Sequence, residues 1–295
     1  MDIIINEYEG KDSITHGKIV TFDMPMETYP DKRTRTIRVW LPESYDGKRR
    51  FPVFYMHDAQ NLFDGLDEGS PYKWYINREM EALEKEGLPA IIVGVDTAST
   101  RVSELCPNMP INPDIYTLLE LPPEEEIIPT GNLYAEFITD QLKSFVDEKF
   151  MTLPDTANTA VGGASLGGLM SLYMLLKYPG IYGKAMVFAP YLLAHYTLDI
   201  FRKLELYDFT KLRESRIFIF NGGQTLDTGN WPYIRTLFET LRDQGMGDAH
   251  LALLYDSRQP HYESAWHRYF AEAFRYLFMK DNEMVKAPST WYLQR

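Results

Sequence analysis

Ser165 stands in Gly163-Ala164-Ser165-Leu166-Gly167, a G-x-S-x-G stretch with Gly162 and Gly168 just outside it. A short apolar run precedes it and a longer one follows. That pattern puts the serine on the turn from a buried strand into a buried helix. Such a turn is sharp and strained, and it lifts the hydroxyl to the C-terminal edge of a sheet; the glycines leave room for it. A hydroxyl held there can attack an acyl carbonyl if a base takes its proton. The N–H groups that open the following helix, beginning with Leu166, favour the oxyanion that would form.

A serine on such a turn is followed in the chain first by an acid and then by a histidine. The six histidines are His16, His57, His195, His250, His261 and His267. His261 ends Asp256-Ser257-Arg258-Gln259-Pro260-His261, directly after the last strand of the pattern, and so emerges at the edge that carries Ser165. His267 falls on the final helix, His250 at the wrong end of a strand, and His57 before the serine. His261 is therefore the expected base. The acid should follow the strand at 216–220, in Asn221-Gly222-Gly223-Gln224-Thr225-Leu226-Asp227-Thr228, whose one carboxylate is Asp227. It would hold the imidazole tautomer and stabilise the imidazolium. A second oxyanion N–H is expected from the loop after the strand at 51–56, from Ala59 or from Gln60.

The elements that must position these groups are legible in period and punctuation. Residues 18–23, 34–41, 51–56, 90–95, 159–163, 184–188, 216–220 and 251–255 read as strands. Helical spacing marks 74–86, 134–150, 166–178, 233–241 and 265–278. Strand and helix alternate from residue 51 onward. The reading is an α/β fold with a mostly parallel sheet, helices on both faces and an antiparallel N-terminal edge. One domain spans 1–295, with long insertions at 97–130 and 191–214 expected as lids or binding walls.

Bulk properties narrow the function. Among 295 residues, 45% are hydrophobic and 14% aromatic, enough for a sizeable core. The net charge is −12, and the longest basic run is Lys48-Arg49-Arg50, so neither nucleic acid nor an anionic membrane is an expected partner. Cys106 is the only cysteine, which excludes a disulfide framework and a cysteine-based zinc site. The first residues carry no secretory pattern and no apolar stretch of about 18 residues occurs, so a cytoplasmic location is expected.

At these residues the chain resembles the putative-esterase family of α/β-hydrolases, which includes esterase D-like, feruloyl and acetyl-xylan esterases, siderophore esterases and mycolyltransferases. The resemblance runs from about Thr36 to Phe278. It rests on His57-Asp58-Ala59-Gln60-Asn61-Leu62-Phe63, close to "HDGQNLF", on the glycines around Ser165, and on Lys177-Tyr178-Pro179. It rests also on His261-Tyr262-Glu263-Ser264-Ala265-Trp266, similar to "HNExxW". It implies Ser165 as nucleophile and His261 as base, with no metal or organic cofactor, and a small-molecule ester as substrate. Acetyl or hydroxycinnamoyl esters of sugars are the implied class, with Gln60, Phe63, Tyr191 and Trp231 as candidate substrate-binding residues and Trp266 as packing. Ala59 stands where many relatives have glycine, and the acid loop departs from their usual Gly-x-x-Asp; some relatives use a Ser–His pair alone. Arg101-Val102-Ser103-Glu104 resembles a family "RxxE" and reads as an ion pair holding the long insertion. The rivals are an acyltransferase using the same serine and a non-catalytic hydrolase-fold binding module.

Overall fold

The computed structural model describes residues 3–8, 16–65, 73–118, 121, 127–195, 209–212, 214–279 and 292–294. Ten strands form one sheet in the order β1-β2-β3-β5-β4-β6-β7-β8-β9-β10. They are β1 (Asn6–Glu7), β2 (Lys18–Pro25), β3 (Thr34–Leu41), β4 (Val53–His57), β5 (Ile91–Val95), β6 (Thr159–Ala164), β7 (Lys184–Phe188), β8 (Arg216–Gly222), β9 (Leu251–Asp256) and β10 (Tyr292–Gln294). The pairs from β1 to β3, and β3 with β5, are antiparallel, whereas β5, β4 and β6 through β10 run parallel. Strand β5 is apolar along its whole length and β4 is apolar up to His57, as suits strands covered by helices on both faces, and every residue of each is buried.

The helices are α1 (Ile76–Lys85), α2 (Arg101–Leu105), α3 (Asp114–Leu118), α4 (Gly131–Glu136), α5 (Lys143–Lys149), α6 (Leu166–Lys177), α7 (Leu226–Asp243) and α8 (Glu263–Phe278). Apolar faces of α1 and α8 cover one side of the sheet through Ile76, Met80, Leu83, Phe270 and Phe274. Helices α4 to α7 cover the other through Tyr134, Val146, Leu169, Ile234 and Leu237.

Chain order explains where a site can form. From β4 the chain steps outward to β5, then returns past β4 to β6. Connections therefore diverge between β4 and β6, and in open α/β sheets ligand sites form above the C-terminal ends at such a point. The segment after β4 is Asp58–Asn61, and the residue after β6 is Ser165.

Several boundaries differ from those expected. The helix expected at 134–150 begins at Gly131, where a Cβ would meet the Cys106 carbonyl, and its middle, Phe137–Leu142, widens into π turns. The helix expected at 233–241 begins at Leu226, two turns before Pro232. Strands β1 and β10 and the short helices α2 and α3 carry too little periodicity to be read. Residues 119–120, 122–126, 196–208 and 213 lie outside the described residues, and with them the acidic run Glu124-Glu125-Glu126 and most of the insertion at 191–214.

Candidate active site

Strand β6 is buried along its whole length and delivers Ser165 with φ 59° and ψ −124°. A non-glycine residue in that region costs about 1–3 kcal/mol, so surrounding contacts must hold it. They do: Ser165 N–H donates to Phe188 O (3.0 Å), and Ser165 O accepts from Leu169 N and Tyr191 N (both 3.0 Å). A Cβ on Gly163 would lie 3.0 Å from the Gly167 carbonyl carbon, and one on Gly168 2.5 Å from Phe188 O. These two glycines let α6 start directly against the strands. Ser165 is 7% exposed.

His261 lies between β9 and α8, as expected. Its Nδ1 is 2.6 Å from Asp227 Oδ1, and that carboxylate is fully buried. Asp227 Oδ2 accepts from Gly222 N (3.0 Å), so both carboxylate oxygens have donors. Asp227, expected in a loop, stands instead in the first turn of α7. Thr225, at φ 56° and ψ −132°, turns the chain into that helix, and its Oγ1 accepts from His261 N (2.9 Å). Trp266 meets the His261 ring edge-on, with centroids 5.3 Å apart, and Trp74 backs it at 5.6 Å.

The two corners are joined by hydrogen bonds. Asn230 Nδ2 donates to Pro190 O (2.8 Å), beside the residue that grips Ser165. It also reaches Asn221 Oδ1 (3.3 Å), while Asn221 Nδ2 donates to Asp227 O (3.2 Å). Among the described residues no hydrogen bond links the Ser165 hydroxyl directly to His261.

The third wall is the turn after β4. Asp58 is left-handed at φ 58° and ψ 49°, and Ala59–Asn61 form one 3-10 turn. Outside helices and strands, the N–H groups of Ala59 and Leu166 make no backbone hydrogen bond among the described residues. Ala59 packs so closely on β5 that a Cβ on Gly94 would lie 2.6 Å from its own.

Three expectations on this wall change. The Gln60 side chain is spent on Thr97, accepting from its N–H (3.1 Å) and donating to its Oγ1 (2.6 Å), so it is structural. Phe63 is wholly buried in the core. Arg101 and Glu104 do not pair with each other. Arg101 Nε and Nη2 grip Asp58 at 2.6 and 2.9 Å, while fully buried Glu104 accepts from Arg35 (2.7 Å) and Arg33 (3.0 Å). Asp58 and Arg101 were visible only as members of motifs, without their partnership.

His57 sits beneath the serine turn, with its Nδ1 2.9 Å from the Tyr134 hydroxyl. Burial pushes its pKa down to about 4. Glu263 accepts from Asn61 Nδ2 (3.3 Å); burial first, with Asp58 adding to it, raises its carboxyl above the usual range. Tyr191 is buried beside Ser165, Trp231 stacks on Tyr255 at 3.9 Å, and Tyr262 is half exposed next to His261. Among the described residues no group of three His, Cys, Asp or Glu side chains is placed to hold a metal ion, and no helix is long and apolar enough to cross a membrane.

The family described as Putative esterase matches residues 30–275. The uncharacterized protein YbbA of Bacillus subtilis (strain 168) is 23% identical over 260 residues, spanning 85% of this chain and 95% of that one. Similar folds occur in the BES protein from Bacillus cereus (TM-score 0.68, 18% identity, 92% of this chain and 99% of that one). They occur also in a ferulic acid esterase (TM-score 0.63, 15% identity, 89% and 98%). An IroE-like serine hydrolase from Shewanella oneidensis is a third case (TM-score 0.65, 17% identity, 88% and 79%).

Proposed function

The chain belongs to the Putative esterase family and is an ester hydrolase by that membership, and from this premise we propose that it works through an acyl-enzyme on Ser165. His261 Nε2 takes the hydroxyl proton as Ser165 Oγ bonds to the ester carbonyl carbon. Backbone N–H groups of Leu166 and Ala59 hold the resulting oxyanion. The tetrahedral intermediate collapses, and His261 returns the proton to the departing alcohol. Water then attacks the acyl-enzyme with the same base, releasing the acid and restoring Ser165. Asp227 holds the Nδ1 proton of His261 and balances the imidazolium.

The observation that carries this reading is the buried 2.6 Å contact between His261 Nδ1 and Asp227 Oδ1 at the sheet edge that carries strained Ser165. For the substrate we favour a short or aromatic acyl group on a neutral alcohol such as a sugar, which includes acetyl and hydroxycinnamoyl esters. The net charge of −12 repels polyanions. Half-exposed Tyr262, next to His261 in the chain, supports an aromatic acyl group.

Steady-state hydrolysis of p-nitrophenyl acetate by the wild type and Ser165→Ala tests the chemistry. An active wild type and a loss of at least about a thousandfold in kcat are expected. A variant as fast as its parent would refute the acyl-enzyme on Ser165. A preference for methyl hydroxycinnamates over methyl alkanoates of equal length supports the aromatic class.

A further inference from the structure

Asp58 presents a chemical problem to the site. Its Oδ2 would lie 3.4 Å from a Cβ placed on Gly167, two residues beyond Ser165, so a carboxylate stands against the N-terminal turn of α6. That turn is where negative charge must be welcomed as an oxyanion forms. The side chain is only 15% exposed, so water screens it poorly. Burial alone would push its carboxyl up, but Arg101's charge and hydrogen bonds outweigh burial and keep it ionised.

Arg101 answers the problem with geometry. Its Nε and Nη2 make a bidentate pair with the two carboxylate oxygens at 2.6 and 2.9 Å. Thr97 Oγ1 adds a third donor at 3.1 Å and ties the same turn, through Gln60, to the end of β5. The next residue after Asp58 is Ala59, whose N–H is the second oxyanion donor in the acyl-enzyme reading. Asp58 reaches its left-handed conformation without glycine, so the grip on its side chain sets the direction of the Ala59 N–H.

Resting on that reading, we propose that Arg101 is a positioning residue for the transition state: it locks the Asp58–Ala59 turn and cancels the Asp58 charge beside the oxyanion. It does not touch the substrate. A donor displaced by about 1 Å, or a bare carboxylate beside the oxyanion, weakens transition-state binding and leaves ground-state binding intact.

The experiment compares Arg101→Gln, Asp58→Asn/Arg101→Gln and Ser165→Ala with the wild type. It reads kcat and KM for p-nitrophenyl acetate, the Ki of a trifluoromethyl ketone whose adduct carries an oxyanion, and Tm. Arg101→Gln should lower kcat about 30- to 100-fold with KM within threefold, and raise the ketone Ki in parallel. Adding Asp58→Asn removes the uncancelled charge and should restore at least about tenfold of kcat, a rescue that a purely structural role does not give. If Arg101→Gln does not fold, Arg101→Lys keeps the charge but not the bidentate fork, and should show a smaller loss with the same parallel. The proposal is overturned if kcat stays within threefold, if KM alone carries the loss, or if the double variant is no better than Arg101→Gln. Full activity in Ser165→Ala overturns the acyl-enzyme reading and this proposal together, and that arm alone identifies the cause.

Discussion

His57 and His261 leave the same edge of the sheet, both are buried, and both commit Nδ1 to a hydrogen bond. Their partners differ. His57 meets the hydroxyl of Tyr134, whose own ionisation burial suppresses, and His261 meets the carboxylate of Asp227. A hydroxyl cannot balance an imidazolium away from water, so His57 stays neutral down to about pH 4. A buried carboxylate can, which is what the proposed role of His261 as base requires. The residue type does not set the task; the group that holds the second ring nitrogen does.

The sharpest way to break the comparison is to make the partners alike. Asp227→Asn keeps shape and removes charge, and should lower kcat/KM for p-nitrophenyl acetate on the order of 10⁴-fold. His57→Gln should cost at least about a hundredfold less, since His57 is outside the proposed chemistry. Equal losses in the two variants would erase the distinction.

The second difference is in stability against pH. An unfolded chain protonates His57 near its ordinary value of 6.5, whereas the native state resists until about 4. Unfolded molecules therefore bind more protons in that window. The contribution of His57 is whole above pH 6.5 and falls as pH drops toward 4, by at most ~3 kcal/mol. Urea unfolding across pH 4 to 7 should show this slope in the wild type and a shallower one in His57→Gln.

A smaller effect isolates the hydroxyl. Tyr134→Phe removes the one hydrogen-bond partner of His57 Nδ1, and should cost about 1–3 kcal/mol in urea unfolding at pH 7 while turnover changes little. Smallest of all is Glu263→Gln. Burial raises the Glu263 carboxyl, so the native state holds that proton more tightly than the unfolded one. Its ionisation subtracts stability as pH rises above the unfolded value. The variant should have a higher Tm than the wild type at pH 7, with the gain vanishing below about pH 4. A lower Tm at pH 7 would mean that the link to Asn61 outweighs the buried charge.

Sequence pattern carried the strand–turn–helix at Ser165 and the loop position of His261, because both depend on short, strongly apolar neighbours. It carried Asp227 as a residue but not as the opening of a helix. Gly222-Gly223-Gln224-Thr225 reads as a loop and Trp231-Pro232 as a break. What holds α7 there is tertiary: buried Asp227 and Asn230, bonded to Gly222 and Pro190. Ion pairing was the least legible feature. Arg101 and Glu104 look like partners at helical spacing, but their true partners lie 43 and 71 positions away. Local spacing says nothing about which strand end a guanidinium will meet. Family motifs marked Asp58 and Glu263 without giving either a neighbour.

In the proposed mechanism the His261–Asp227 pair activates one hydroxyl, that of Ser165. The most direct measurement is reaction with a fluorophosphonate followed by intact mass and peptide mapping. One adduct per chain is expected, on Ser165, absent in Ser165→Ala and slowed at least about a thousandfold in His261→Ala. An adduct on another residue, or none in a folded wild type, would contradict it.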